Sequence, residues 1–341
     1  MNDYAIGIDL GGTSIRFGVI CADGSLLHRN SILTRVKAGP EAVVADMAMG
    51  VREMVDFLPA GARLRGIGVG SPGPINLRDG VLGLLPNFPG WENYPLRDAL
   101  HSATSLPVIL ESDANAAALA EWQMGLDNPH DAESSLPPIR SMCMITLGTG
   151  VGSGLILDGS IWHGILGMGG EVGHCSIDPT GERCSCGNRG CLELYASATG
   201  IVQAARAAQI SGADESTFTT RDLASLARAG SESAGMIFDR VGEALGRAIT
   251  TLINTLDLEL YVIGGGVSRA WDLFAPAMFS LLEDRSVVYR LNKPTQRTQR
   301  EHDRPFIISA SLGADSGLIG AALLPILHHA GSVSGAVAPN R

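Results

Sequence analysis

Four of the six cysteines of this 341-residue chain fall beside a histidine in one stretch, "HCSIDPTGERCSCGNRGC", residues 174–191. Cys184, Cys186 and Cys191 offer three soft thiolates and His174 an imidazole, a set that suits tetrahedral Zn²⁺. Four protein ligands close the coordination shell, so such an ion is structural and not catalytic. Gly181, Gly187 and Gly190 let the loop turn sharply enough for the ligands to converge, and Arg183 and Arg189 offset thiolate charge. The competing reading is a run of reduced thiols in a loop. Cys175 adjoins the histidine and is left out of the set, while Cys21 and Cys143 lie in apolar strand-like runs and read as buried thiols.

A second kind of chemistry lies in acids beside glycine turns. In "IGIDLGGTSIRFGVI", Asp9 ends a strand-like run and is followed by Gly11, Gly12 and Thr13. Backbone amides left open by small residues, with a hydroxyl, cradle phosphate oxygens, and a nearby acid holds Mg²⁺ through water. The spacing is neither a Walker A run nor a G-x-G-x-x-G fingerprint, and a plain hairpin is the alternative. "TLGTGVGSG" supplies another such turn at Gly148, Thr149 and Gly150. "IGGGVS", between strand and helix, would lay its backbone against a nucleotide base or sugar.

Asp113, in "VILESDANAAALAEW", follows a strand at a helix N-terminus, where it is either an N-cap without chemistry or a base. Glu171 and His174 on one side and Glu193 on the other bracket the cysteine loop, which places them as acceptors for a polyol. "PNFPGW" adds Asn87 and Trp91 in a rigid loop, with a surface turn as the alternative. Arg16, beside the first glycine turn, reads as a surface arginine, with an arginine finger on the transferring phosphate as the alternative.

Elements must carry these groups. Strand-like runs 4–9 and 15–20 flank the first turn, and "ADGS" turns into a third strand. Pro40 to Leu58 has helical apolar spacing, 64–70 and 107–112 read as strands, and 113–122 as an alanine-rich helix. After a polar loop over 127–140, "SMCMITLG" and "GSGLILDG" echo the opening pattern. Met236 to Leu256 is an amphipathic helix, followed by strand "LELYVIGGG", helix 268–284, strand "PFIISA" and a last helix near 315–329. The closing "SVSGAVAPNR" is expected to fray. Strands alternating with helices predict an α/β fold, with ligand groups at strand ends.

Composition bounds the function. Apolar residues make up 45% and charged residues 18%, a globular balance long enough for two domains. A net charge of −10 excludes a basic surface for nucleic acid or anionic membrane. No apolar run reaches membrane-spanning length and the opening residues lack a secretory pattern, so a cytoplasmic protein without disulfides is expected. No ribose-binding acid follows a glycine fingerprint after the first strand, which sets aside an NAD-dependent dehydrogenase.

Taken in order, "DLGGT", "PNFPGW", "ESDANAAALAE", "LGTGVGSGL", "GEVGHCSIDPTGERCSCGNRGCLE" and "VIGGGVS" resemble the ROK family (repressor, open reading frame, kinase), nearly end to end and with the feel of its bacterial glucokinases. The resemblance implies an actin/hexokinase-like (ribonuclease H-like) α/β fold of two domains around a cleft. Residues 1–115, completed by a C-terminal helix over 313–330, would form the small domain, and 116–312 the large domain with the zinc loop. It further implies that Asp113 is the general base on a sugar hydroxyl and that Asp9 orients Mg²⁺. Gly11, Gly12, Thr13, Thr149 and Gly150 would hold the phosphates of ATP, and Gly265 and Gly266 the adenosine. Asn87, Ser112, Glu171, His174 and Glu193 would meet the sugar, with His174 also a zinc ligand. Many glucose-using members carry Asn where this chain has Ser112, and one hydroxyl cannot donate two hydrogen bonds. Glucose therefore heads a list that includes allose, mannose, fructose, N-acetylmannosamine and N-acetylglucosamine. Regulators of the family carry a helix-turn-helix domain ahead of the kinase-like part, whereas here the first strand starts at residue 4; a catalytically silent sugar sensor is the further alternative. A homodimer or higher homo-oligomer is the expected assembly.

Overall fold

The computed structural model describes residues 2–84, 88–125, 139–292 and 307–330. Asn87, most of the loop expected over 127–140 and the terminal "SVSGAVAPNR" lie outside the described residues. The described part forms two compact units. One draws on Met1–Ala132, Gly154–Gly170 and Ala314–Arg341, the other on Glu133–Ser153 and Glu171–Gly313. The helix over 113–124 and the segment 154–170 thus group with the first unit.

The first unit opens with β1 (Asp3–Leu10), β2 (Ser14–Cys21) and β3 (Leu26–Leu33), an antiparallel meander. Then come α1 (Pro40–Val55), β4 (Arg63–Ser71), a small pair β5 (Ile75–Asn76) and β6 (Val81–Leu82), and α2 (Leu96–Thr104). β7 (Val108–Ser112) leads directly into α3 (Asp113–Met124). The sheet runs β3-β2-β1-β4-β7, with β4 and β7 parallel to β1 and to each other.

β1 is buried on both faces, as central strands of α/β sheets are. Its period of two turns Ile6, Ile8 and Leu10 toward Val43, Met47, Val51 and Met54 of α1. Each such fully buried aliphatic contributes about 1.5–3 kcal/mol. The other face is covered by the last helix of the chain, Ser316–Ala330, numbered α10 below, which packs on β1, β4 and α3. Close approach is possible because Gly320 has no side chain: a Cβ there would stand 1.7 Å from the Ala116 carbonyl oxygen of α3.

The second sheet runs β10-β9-β8-β11-β12, where β8 is Met142–Leu147, β9 Val151–Leu157, β10 Ser160–Ile161, β11 Leu260–Gly264 and β12 Ile307–Ser309. β8, β11 and β12 are parallel. Between β10 and β11 come α4 (Glu193–Ala196), α5 (Ala198–Ala207), α6 (Thr220–Arg228) and α7 (Glu232–Leu256), and beyond β11 lie α8 (Trp271–Arg285) and α9 (Val287–Asn292). α7 starts four residues earlier than its apolar stripe suggests because Ser231 caps it, accepting the Ala234 amide. Each sheet therefore contains a strand–glycine turn–strand hairpin, the echo read in the sequence. Among the described residues no helix is long and apolar enough to cross a membrane.

Candidate active site and metal loop

In the first unit the turn between β1 and β2 is a closed hairpin. The Gly11 amide donates to the Ser14 carbonyl at 3.0 Å, and Thr34 Oγ1 donates to the Gly11 carbonyl at 2.6 Å. Gly12 and Thr13 project to solvent at its tip. Asp9 lies on the α10 face of β1, in register with Arg16 on β2 and Gly70 on β4. The Arg16 guanidinium pairs with Asp9 Oδ2 and donates to the Ala314 carbonyl. This corrects the reading of Arg16 as a surface arginine, since it neutralises the turn's own acid. Gly317 on α10 leaves space over the Asp9 carboxylate, where a Cβ would sit 3.6 Å from Oδ2. An oxygen ligand with room above it suits a hydrated Mg²⁺.

Gly70 is level with both Asp9 and Glu111, so these acids occupy one rung of the sheet, two strand spacings or roughly 10 Å apart. One residue after Glu111 the strand ends and α3 begins. Ser112 is the N-cap, its Oγ accepting the Asn115 amide at 3.4 Å. Asp113 is the first helical residue, exposed, with Oδ1 accepting the Ala114 amide at 2.7 Å. The N-cap reading of Asp113 gives way, because its neighbour does the capping. A carboxylate in a first helical turn also lies in the favourable field of the helix N-terminus. From Ala114 to Glu121 the helix is buried, so Asp113 is the acid that α3 turns outward from its N-terminal end. Trp91 is fully buried, edge-on to Phe88 at 5.5 Å, which replaces the surface-turn reading of its loop.

In the second unit, Gly148, Thr149 and Gly150 form the turn from β8 to β9, with the Gly148 amide donating to the Gly150 carbonyl at 2.9 Å. The turn is gripped by the chain that follows the cysteine loop. Glu193 Oε2 accepts the Val151 amide at 3.0 Å, the Ala198 amide donates to the Gly148 carbonyl at 2.8 Å, and Thr199 Oγ1 donates to the Thr149 carbonyl at 2.8 Å. Glu193 Oε1 has no hydrogen-bond partner among the described residues. Glu171 is exposed and His174 partly so, on a short 3₁₀ turn. Gly265, with φ of 86°, and exposed Gly266 start the turn after β11, and Ser268 Oγ closes it on the Gly265 carbonyl at 2.8 Å.

His174, Cys184, Cys186 and Cys191 come together as read from the sequence, all four ligand atoms lying within 4.8 Å of one another. Cys186 Sγ is 3.6 Å from Cys191 Sγ, and Cys184 Sγ is 3.8 Å from His174 Nδ1. A tetrahedral zinc with thiolate bonds near 2.3 Å needs ligand separations of about 3.8 Å, so the donor set fits. The backbone preorganises it. Gly190, at φ 59°, bends so tightly that a Cβ would lie 1.8 Å from the Asp178 carbonyl oxygen. The Asn188 side chain donates to the His174 carbonyl at 3.2 Å, tying the two ends of the loop. Backbone donation from Asn188 holds the Cys186 thiol below its usual range, while burial pushes Cys191 up to about 12. A dication among the four ligands would favour the thiolate form that coordinates it. Cys175 is exposed and stays outside the group.

One cluster was given no role by the sequence reading. Glu111 is buried at the end of the apolar run "VIL", and its carboxylate meets His163, on the loop after β10, with Oε2 2.7 Å from Nε2. An acid closing an apolar strand was the one sign of it in the sequence.

The profile of the ROK family matches residues 5–327. A glucokinase of Thermotoga maritima is 36% identical over 327 residues, covering 93% of this chain and 95% of that protein. An N-acetylmannosamine kinase of Escherichia coli is 33% identical, over 94% of this chain and 97% of the relative. The crystal structure of a ROK hexokinase from Thermus thermophilus superposes with a TM-score of 0.75 at 33% identity, covering 96% and 99% of the two chains. With the two mixed sheets described above, these matches establish an actin/hexokinase-like α/β fold, and the chain belongs to the ROK family.

Proposed function

We propose that the protein is an ATP-dependent hexose kinase, with glucose as the first acceptor to test. The observation that carries this reading is Asp113, an exposed carboxylate heading a buried helix, relieved of capping by Ser112. Relatives that phosphorylate hexoses and N-acetylhexosamines along nearly the whole chain support it.

In this reading Asp113 accepts the proton of the sugar hydroxyl. The sugar oxygen forms its bond to the γ-phosphorus as the bond to the bridging oxygen of ADP breaks, and the proton stays on the carboxylate. Such transfer asks mainly for positioning and charge neutralisation. The amides of Gly12 and Gly150 and the hydroxyls of Thr13 and Thr149 serve the phosphates, Gly11 shapes the first turn by closing it on Ser14, and Gly265 and Gly266 leave room for adenosine. Asp9 would hold Mg²⁺ through water, and the ion, when bound, offsets phosphate charge. Glu171, His174 and Glu193 bind sugar hydroxyls, Glu193 through its remaining oxygen, and Asn87 joins them. His174 with Cys184, Cys186 and Cys191 would hold a structural Zn²⁺ that keeps this segment in shape. Cytoplasmic location and a homodimer complete the reading.

Ser112 favours keeping a second acceptor in view. Its oxygen caps α3, leaving one proton to donate, where Asn would offer two. Sites built around particular hydroxyls discriminate strongly when a partner is missing, so N-acetylmannosamine stands beside glucose. A coupled ADP-release assay across glucose, mannose, allose, fructose, N-acetylmannosamine and N-acetylglucosamine decides among them. Absence of sugar-stimulated turnover rejects the kinase reading. Asp113→Asn should lower kcat by about 10³-fold or more while sugar still binds; lost sugar binding would make Asp113 a structural acid.

A further inference from the structure

We infer that His163 is a positioning residue for the reaction, acting through Glu111 on the strand-to-helix turn that presents Asp113. This rests on Asp113 as the base.

Glu111 is the penultimate residue of β7, on the face that carries α3, and only 3% of its surface is exposed. All the described contacts of its carboxylate go to that turn or to His163. Oε1 accepts the Ser112 amide and the Asn115 side-chain amide, both at 2.9 Å. Ser112 in turn caps α3 on the Asn115 backbone amide. The carboxylate thus staples the residue before Asp113 to the residue two after it, replacing the usual box in which the third helical side chain accepts from the cap. A buried carboxylate stays in place only if its charge is matched. His163 supplies the match from outside the turn, its Nε2 2.7 Å from Oε2 and its side chain 16% exposed.

The loop that carries His163 is built to hold it. The Trp162 amide donates to the Leu155 carbonyl at 2.8 Å, and the Gly169 amide donates to the His163 carbonyl at 2.7 Å. No sequence motif assigns either residue a role, and neither touches the cysteine cluster. Removing the imidazole leaves a buried charge whose escape toward water drags the Ser112 amide and Asn115 with it. The base then samples off-line orientations, which is a loss in kcat and not in substrate affinity.

The test uses steady-state kinetics of the intact protein with the sugar that the acceptor screen selects. His163→Ala should lower kcat about tenfold or more, with KM for ATP and sugar within about twofold. In Glu111→Gln/His163→Ala most of that loss should return, because a buried amide needs no counter-charge and still accepts from Ser112. Wild-type kcat in folded His163→Ala, or a double variant as slow as the single one, overturns the inference. If His163→Ala does not fold, His163→Gln decides, since it keeps a donor without the charge. A fall in kcat of about threefold or more then supports the inference, and unchanged kcat overturns it. Asp113→Asn separates the two levels: an inactive Asp113→Asn beside a normal His163→Ala defeats this inference alone, whereas an active Asp113→Asn defeats the assignment of the base.

Discussion

The two glycine hairpins echo one another in sequence, Leu-Gly-Gly-Thr at 10–13 and Leu-Gly-Thr-Gly at 147–150, and are held by different means. Around Gly11–Thr13 the support is neighbouring sheet: Thr34 reaches the Gly11 carbonyl from just beyond β3, and Arg16 neutralises Asp9 across one rung. Around Gly148–Gly150 the support comes from more than forty residues later, through Glu193, Ala198 and Thr199, which follow the cysteine loop. Cys191 and Glu193 are two residues apart, so anything that orders the metal ligands also orders the clamp. The difference teaches that the segment following the cysteine loop braces the turn between β8 and β9.

The comparison breaks most readily at the metal. Cys184→Ser, or a chelator that strips the Zn²⁺ proposed for these ligands, should reduce hydrogen-exchange protection of the Val151 amide about a hundredfold while leaving Gly11 unaffected; equal loss at both amides would refute the division. A methyl group probes the same contrast more gently. At Gly150 a Cβ would stand 2.4 Å from Glu193 Oε2 and displace it, whereas at Gly12 the nearest neighbour, Phe88, is 3.7 Å away. Gly150→Ala should therefore cost about 1–2 kcal/mol in urea unfolding, and Gly12→Ala under about 0.5 kcal/mol. The paired threonines give a finer measure. Thr34→Val removes a part-buried hydrogen bond worth about 1 kcal/mol, and Thr199→Val an exposed one worth less. Only the Thr199→Val effect should vanish once the metal is removed.

The smallest effect separates the units by pH. Burial lowers the His163 pKa, but the hydrogen bond and charge of Glu111 outweigh it, leaving the folded-state value raised above 6.5. Stability from this pair is fully present below the unfolded-state pKa and is lost as pH rises through the folded-state value. Thermal melts should accordingly show a larger gap between wild type and His163→Gln at pH 6 than at pH 9. The reverse order would mean that His163 is held neutral.

Much of the site was legible in short windows. The cysteine spacing, the glycine turns between strand-like runs and the acid at the start of an alanine-rich helix are local patterns, and local steric and coordination rules act on them directly. Helix ends were less so: Ser112 and Asp113 are both good caps, and only the backbone path, extended at Ser112 and helical at Asp113, assigns the task. Arg16 looked like an ordinary surface cation because its partners, Asp9 and Ala314, are joined to it by strand register and by a helix from the far end of the chain.

What the amino-acid sequence determined alone was the inventory: which groups could hold a metal, which turns carry glycine, which acids stand at strand ends. Tertiary structure decided which of them are held and by what. Glu111 and His163 lie 52 positions apart, and Val151 and Glu193 lie 42 apart. Contacts of that span depend on how sheets and loops close, and burial turns them from ordinary polar residues into fixed partners, since an unmatched charge or amide inside the protein is costly.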